Sequence, residues 1–447
     1  YRVIALLTEP ASFPRQCVPQ LVPRNPNPSM HYRLNIIHFI CSSCCAFCIF
    51  AINQHHRTMR TLYQKFETLL ESTNTDFKRY LYDKISWNSR MIGIIGARGV
   101  GKTTMILQYI KENLDNKKAL YVAADDIYFG ENKLVDLADD FYKNAGEYLF
   151  IDEIHKYDDW SRELKNIYDS FPSLKVVFTG SSVLEILKGS ADLSRRAVIY
   201  NLQGLSFREY LKYFHTYDSE VYTLEQIISN DVKLKNVKHP LPLFNDYLRR
   251  GYYPFGVENE LDIRLGQIIV QTLESDIPQY ANLNVGTGRK LKRLLSIIAE
   301  SVPFKPNFSK IAGIINVSRN SLDDYFLYME KAGLIGQLRN ETGGIRGLGK
   351  VEKVYLDNTN IIFNLGGDKS NKGNLHETFF YNQMQVNNEV ISSQKADFTI
   401  EDYTFEIGGK NKNAKQIENV EKSFLVKDDI EFGYRNVIPL WAFGFNY

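Results

Sequence analysis

Gly96-Ala97-Arg98-Gly99-Val100-Gly101-Lys102-Thr103-Thr104 is the stretch whose reading decides the fold. It has the spacing G-x-x-x-x-G-K-T. The glycines let successive backbone N–H groups curl around an anion, Lys102 sets a point charge on outer phosphates, and the Thr103 hydroxyl can ligate Mg2+. The flanks agree with this. Met91 to Ile95 is a short apolar run, the pattern of a buried parallel strand, and Ile106, Leu107, Ile110 and Leu114 recur at helical spacing after Thr104. The glycine loop therefore joins a strand to a helix N-terminus, where unpaired N–H groups and the helix dipole favour phosphate.

A second signal lies downstream. Tyr148-Leu149-Phe150-Ile151 runs apolar into Asp152, and Glu153 follows directly. A buried strand that ends this way delivers Asp152 toward Mg2+ and its waters, while Glu153 is placed to polarise an attacking water as a general base. Further apolar runs at 118–124, 174–179 and 197–202 alternate with helical patterns at 134–142 and 160–171. That alternation predicts an α/β fold, a parallel sheet with helices on both faces and its ligand at the carboxyl ends of the strands. Thr179 and Ser181, at the end of the 174–179 strand, are candidates to hydrogen-bond the γ-phosphate or the water, against the reading of a serine-capped turn. Arg196, with Arg195 beside it, is the candidate for a cationic finger on transition-state charge, in cis or from a neighbour, against the reading of a solvated charge.

Composition narrows the class. The 447 residues are 44% hydrophobic and 24% charged, with a net charge of +2, so no global basic field advertises nucleic acid. All five cysteines fall before residue 59, and six prolines crowd the first 28 residues. A membrane anchor at 34–52 and a zinc site at Cys41, Cys44, Cys45 and Cys48 compete here. The reading adopted is that 1–58 is a non-native or disordered extension, because Met59 precedes an amphipathic helix.

Downstream of the 59–204 core, 205–287 reads as a helical lid that includes the aromatic turn Arg249–Phe255. Residues 288–357 read as three helices and a hairpin, a winged helix. Its third helix offers Arg319 and Asn320 to DNA but also carries Asp323 and Asp324, which repel phosphate. Ser321 and Asp324 have capping-box spacing, and 415–420 reads as helical. Residues 358–447 read as a restriction-endonuclease-like core in which Asp397 and Glu406 would hold Mg2+. The lysine expected two residues after the glutamate is Gly408, and Lys410 lies about 13 Å along the strand, so the domain reads as inactive.

Gly96–Thr104, Tyr148–Glu153, Phe178–Ser182, Asp192–Arg196 and Leu205–Glu209 together resemble the bacterial and archaeal ATPases of the AAA superfamily that end in a domain of unknown function combining a winged helix with a nuclease-like fold. The resemblance spans about Met59 to Tyr447. It implies binding of ATP with Mg2+ and its hydrolysis; the reading adopted here is a cytoplasmic ATPase whose nucleotide state repositions its helical and C-terminal domains. In that reading Gly96, Ala97, Arg98, Gly99, Val100, Gly101, Lys102, Thr103 and Thr104 bind nucleotide, Thr103 and Asp152 hold the metal, and Glu153, Arg196, Thr179 and Ser181 serve catalysis. The alternatives are an ATP-binding docking switch with negligible hydrolysis and an ATP-regulated DNA-binding or nuclease protein. A protein partner or a second copy of the chain stands ahead of DNA as partner, and a membrane last.

Overall fold

Five apolar segments pair side by side, all parallel, in the order β2-β3-β4-β1-β5. They are β1 (Met91–Ile95), β2 (Ala119–Ala123), β3 (Tyr148–Asp152), β4 (Lys175–Gly180) and β5 (Val198–Asn201). Every residue of β1 is buried, and β3 and β4 are nearly so. This is why these strands read as unbroken apolar runs rather than alternating ones. β5 is the edge, and Val198 and Ile199 stay exposed there. The crossover helices are α1 (Lys102–Asn113), α2 (Leu134–Lys143) and α3 (Trp160–Ser170). The computed structural model describes residues 59–180, 193, 195–281, 283–284, 286–301, 305–340, 349–366 and 372–447, and Leu62–Tyr447 packs as one unit. The parallel sheet with flanking helices is the α/β fold expected from the sequence.

Register places the functional ends together. Ile95 lies opposite Gly180 on one side and Asn201 on the other, and Ala123 lies opposite Asp152. The glycine loop, Asp152 and Thr179 therefore leave the sheet along one edge.

After β5 the chain turns into α4 (Phe207–His215). Ser206 caps it, and Glu209 completes the capping box by accepting from the Ser206 N–H. Glu209 has a second task. Its carboxylate takes Nε and Nη2 of the buried Arg79 at 3.0 and 3.1 Å. The same guanidinium donates to the carbonyls of Gln203 at 2.7 Å and Gly204 at 2.9 Å, and to that of Val100 in the glycine loop. One arginine before the sheet thus ties the loop to the exit of β5.

Farther on lie α5 (Leu261–Gln271), α6 (Gly286–Ser301), α7 (Phe308–Ile315) and α8 (Arg319–Lys331), followed by the antiparallel pair β6 (Ile335–Arg339) and β7 (Val351–Leu356). Ser318, not Ser321, caps α8. Its backbone is extended and its hydroxyl accepts from the Ser321 N–H at 3.1 Å, so the expected Ser321–Asp324 box is not formed. Then come α9 (Lys372–Met384) and a second five-stranded sheet of β8 (Val390–Ser392), β9 (Phe398–Ile400), β10 (Tyr403–Gly408), β11 (Ser423–Lys427) and β12 (Val437–Pro439), in the order β12-β11-β10-β9-β8. Residues 415–420 are successive turns rather than a helix. Their N–H groups reach back three residues, as from Ile417 to Ala414 and from Val420 to Ile417. No helix among the described residues is long and apolar enough to cross a membrane.

Arg79 and Glu209 are both almost wholly buried, so removing one partner leaves an uncompensated charge. Glu209→Ala is expected to lower unfolding stability by about 3–5 kcal/mol, read from the urea midpoint at constant slope.

Candidate active site

The loop between β1 and α1 is shaped by its own backbone. Gly101 is the N-cap of α1 and sits at φ +98°, in the region that favours glycine. The first residue of the helix is Lys102, which is buried. Its ammonium turns back into the loop and donates to the carbonyls of Gly96 at 2.9 Å and Ala97 at 2.8 Å. Burial lowers its pKa to about 8, although the carboxylates of Glu153 and Asp152 pull it upward.

Across the loop stands Asp152, 4% exposed at the end of β3. Its Oδ2 accepts from the Thr103 hydroxyl at 2.6 Å and from the Tyr121 hydroxyl at 2.7 Å. Its Oδ1 accepts from the Thr179 hydroxyl and, at 3.1 Å, from the Glu153 N–H. Burial first, then the charge of Asp152, drives the Tyr121 phenol far above its ordinary value, so it remains a donor. Thr179 also accepts from the Glu153 N–H at 3.2 Å, which fixes the turn at the end of β3. Glu153 itself adopts φ +52°, a left-handed conformation uncommon for a residue with a side chain. Its carboxylate reaches the Arg98 guanidinium at 4.0 Å and His155 Nε2 at 3.6 Å. Burial, with the neighbouring charges of Lys156, Arg98 and Lys102, lowers His155 to about 3. That imidazole is neutral at physiological pH, so its contact with Glu153 is not an ion pair.

Residues 88–211 match the family model of the AAA domain. Residues 241–371 match a second family, described as a domain of unknown function. Among curated proteins, the chain is similar to the uncharacterized protein MJ1637 of Methanocaldococcus jannaschii, 27% identical over 303 residues that cover 61% of this chain and 63% of the relative. The chain thus matches less than two thirds of MJ1637. It is also similar to the uncharacterized protein MJ1544 of the same organism, 24% identical over 349 residues covering 72% and 73%. Solved structures with some likeness include the Walker-type ATPase paby2304 of Pyrococcus abyssi, with a TM-score of 0.40 and 13% identity over 65% of this chain and 96% of that one. The AMPPCP-bound DnaA of Aquifex aeolicus has a TM-score of 0.24 and 13% identity, covering 56% and 84%.

Within the segment that matches the AAA domain model, Lys102, Thr103, Asp152, Glu153 and Thr179 meet at one place. Thr104 is exposed on the first turn of α1. Ser181 lies outside the described residues. Arg196 is not brought to the loop. It precedes β5, whose Val198 lies opposite Ile92, so it stands level with the beginning of β1 and the loop leaves from the other end. Its guanidinium forks onto Asp169, near the end of α3, at 3.1 and 3.0 Å. The expectation of an in-chain finger at Arg196 is therefore corrected.

Other residues at the site escaped the sequence. Arg98 was read only as a loop residue, yet its Nε donates to Asp276 Oδ2 at 3.0 Å and its Nη2 to Oδ1 at 3.3 Å. Asp276 is nearly buried and lies in the helical turn after α5, within the second matched segment. Nothing local marks it. Tyr121 had a faint signal, as the one hydroxyl in an otherwise apolar strand.

The acidic residues of the C-terminal sheet are occupied by lysines. Lys353 Nζ lies 3.1 Å from Glu377 and 2.9 Å from Asp397. Lys412 lies 2.5 Å from Glu406 and drapes over Gly408, where an added Cβ would come within 2.6 Å of its side chain. The cation expected two residues after Glu406 is thus supplied from farther along the chain. Among the described residues no group of three or more His, Cys, Asp or Glu is placed to hold a metal.

The positive φ of Gly101 makes a local prediction. Gly101→Ala is expected to cost roughly 1–3 kcal/mol, seen as a lower denaturation midpoint, although an added Cβ would meet no atom closer than 3.8 Å.

Proposed function

We propose that this protein binds ATP with Mg2+ and hydrolyses it, and that nucleotide state repositions its helical and C-terminal segments. The observation that carries this reading is the convergence of Lys102, Thr103, Asp152 and Glu153 on one loop, with the Thr103 hydroxyl 2.6 Å from Asp152. The triphosphate replaces the loop carbonyls as the partner of Lys102. Thr103 and Asp152 would hold the metal, since a hydroxyl and a carboxylate are the hard oxygen donors that Mg2+ takes. When bound, that ion would neutralise charge on the phosphates. Glu153 accepts the proton of the attacking water. Thr179 spends its hydroxyl on Asp152 and so orients the carboxylates rather than the water.

A docking switch with negligible hydrolysis is the second reading. The Arg98 guanidinium 4.0 Å from Glu153 favours it, because a cation there engages the carboxylate that would otherwise take the water proton. For the three helices and hairpin read as a winged helix, the exposure of Asp323 and Asp324 beside Arg319 and Asn320 supports a protein contact over DNA. The lysines on Glu377, Asp397 and Glu406 support an internal ion network over a metal centre in the C-terminal sheet. A cytoplasmic location accords with an ATP-dependent activity.

Calorimetry and single-turnover hydrolysis test the reading. Wild type is expected to bind Mg-ATP, Lys102→Ala to lose that heat, and Glu153→Gln to bind but hydrolyse roughly 100-fold more slowly or worse. Equal, near-zero turnover in wild type and Glu153→Gln would leave the switch.

The Lys102 pKa adds a pH test. Phosphate holds the ammonium charged, so its pKa is higher in the complex than the value of about 8 in the free protein. Binding then takes up a proton above pH 8, and affinity is expected to fall with rising pH by up to roughly tenfold per unit. An affinity unchanged from pH 7 to 9.5 would remove Lys102 from the phosphate contact.

A further inference from the structure

With Arg196 committed to Asp169, the position of a charge-stabilising cation passes to the loop itself. We infer that Arg98 is the guanidinium that stabilises the γ-phosphate during hydrolysis, supplied in cis, and that Asp276 is its positioning residue. The inference rests on the ATP-hydrolase reading of the same site.

Arg98 has the reach. Its Nη2 is 4.0 Å from Glu153 Oε2, the carboxylate beside the phosphate-binding loop. It also has donors to spare. The fork onto Asp276 uses Nε and one face of Nη2, and among the described residues Nη1 makes no hydrogen bond. A guanidinium carries five N–H groups, so it can keep Asp276 on one edge and present the other to a phosphate.

Asp276 explains why the side chain stays in place. Its carboxylate is 4% exposed, against 25% for Arg98. Releasing the guanidinium would strand a buried charge, which is strongly unfavourable. The helical segment around Asp276 therefore holds Arg98 whether or not nucleotide is bound. A second contact bounds the loop beside it. Gly99, at φ +79°, lies under the Phe255 ring, and a Cβ there would come within 2.5 Å of Cε1.

The chemistry balances without another reactant. The water oxygen bonds to the γ-phosphorus, and the bond from that phosphorus to the β–γ bridging oxygen breaks with its electron pair leaving on ADP. The water proton passes to Glu153 and then to the released phosphate. Arg98 meets the charge that spreads over the γ-phosphoryl oxygens as this occurs.

Single-turnover ATP hydrolysis and Mg-ADP calorimetry, on the full chain, test the assignment. Arg98→Ala and Arg98→Lys are each expected to slow hydrolysis roughly 1,000-fold, because lysine cannot hold Asp276 and the phosphate together. Mg-ADP affinity is expected to stay within roughly threefold, since ADP lacks the group that Arg98 contacts. Added guanidinium ion should restore part of the Arg98→Ala rate. Asp276→Asn is expected to slow hydrolysis by a smaller factor with ADP affinity unchanged, and Asp276→Glu to recover part of the loss. Hydrolysis by Arg98→Ala at or above the wild-type rate overturns the inference, the faster rate marking Arg98 as a brake on Glu153. Loss of Mg-ADP binding in both Arg98 variants overturns it too, by making the residue a prop of the loop. A wild type that binds nucleotide but never hydrolyses it ends the inference and leaves the binding reading standing, whereas a wild type that binds none ends both.

Discussion

One buried guanidinium organises the region around the phosphate loop. Arg79 satisfies the carbonyl of Val100 at the base of the loop, the carbonyls of Gln203 and Gly204 after β5, and the carboxylate of Glu209 in the first turn of α4. Val100, Gly204 and Glu209 are buried and Gln203 is partly so, and each of these groups needs a donor or a counter-charge. Glu209 is held in turn by the capping box at Ser206 and by the Tyr80 N–H at 2.6 Å. The loop is flexible in sequence, with three glycines, yet its base is pinned by a buried charge.

The second constraint acts on the mouth of the loop. Arg98 and Asp276 join the segment that matches the AAA domain model to the one that matches the domain of unknown function. Gly333, in the turn after α8, reaches the same loop, since a Cβ there would approach the Ala97 side chain at 3.2 Å. The loop is therefore touched from at least four places in the chain: ahead of the sheet, at Phe255 before α5, in the helical turn after α5, and before the hairpin of β6 and β7. A rearrangement of its backbone would disturb each of these contacts.

What could be read in the sequence follows from how far apart the interacting residues lie. The glycine spacing, the apolar runs and the Asp152–Glu153 pair are contiguous patterns, and each maps onto the strand end or helix start that its chemistry requires. Thr179 was legible as a polar residue ending a buried strand, though its hydroxyl serves Asp152. Arg79, Tyr121 and Asp276 left no comparable trace, because their partners are tens to hundreds of residues away and any exposed arginine, tyrosine or aspartate would look the same. Arg196 misled for the same reason: adjacency to a strand does not say which end of the sheet it faces. At Gly408 the expected lysine was missing from its position, and only tertiary structure shows Lys412 folding back over that glycine. The α8 cap erred by one turn, since Ser318 and Ser321 offer the same hydroxyl and only the backbone decides between them.

The separation between Arg79 and Glu209 is 130 residues, and that between Arg98 and Asp276 is 178. During synthesis the glycine loop emerges long before either clasp exists. A nascent chain that has made only the first strands carries the motif without the supports that hold its shape. Closing spans of that length is an entropic cost met only when the later helices arrive. The motif is thus among the first things translated and among the last to mature, so a truncated product from this message would display the signature while lacking the pocket.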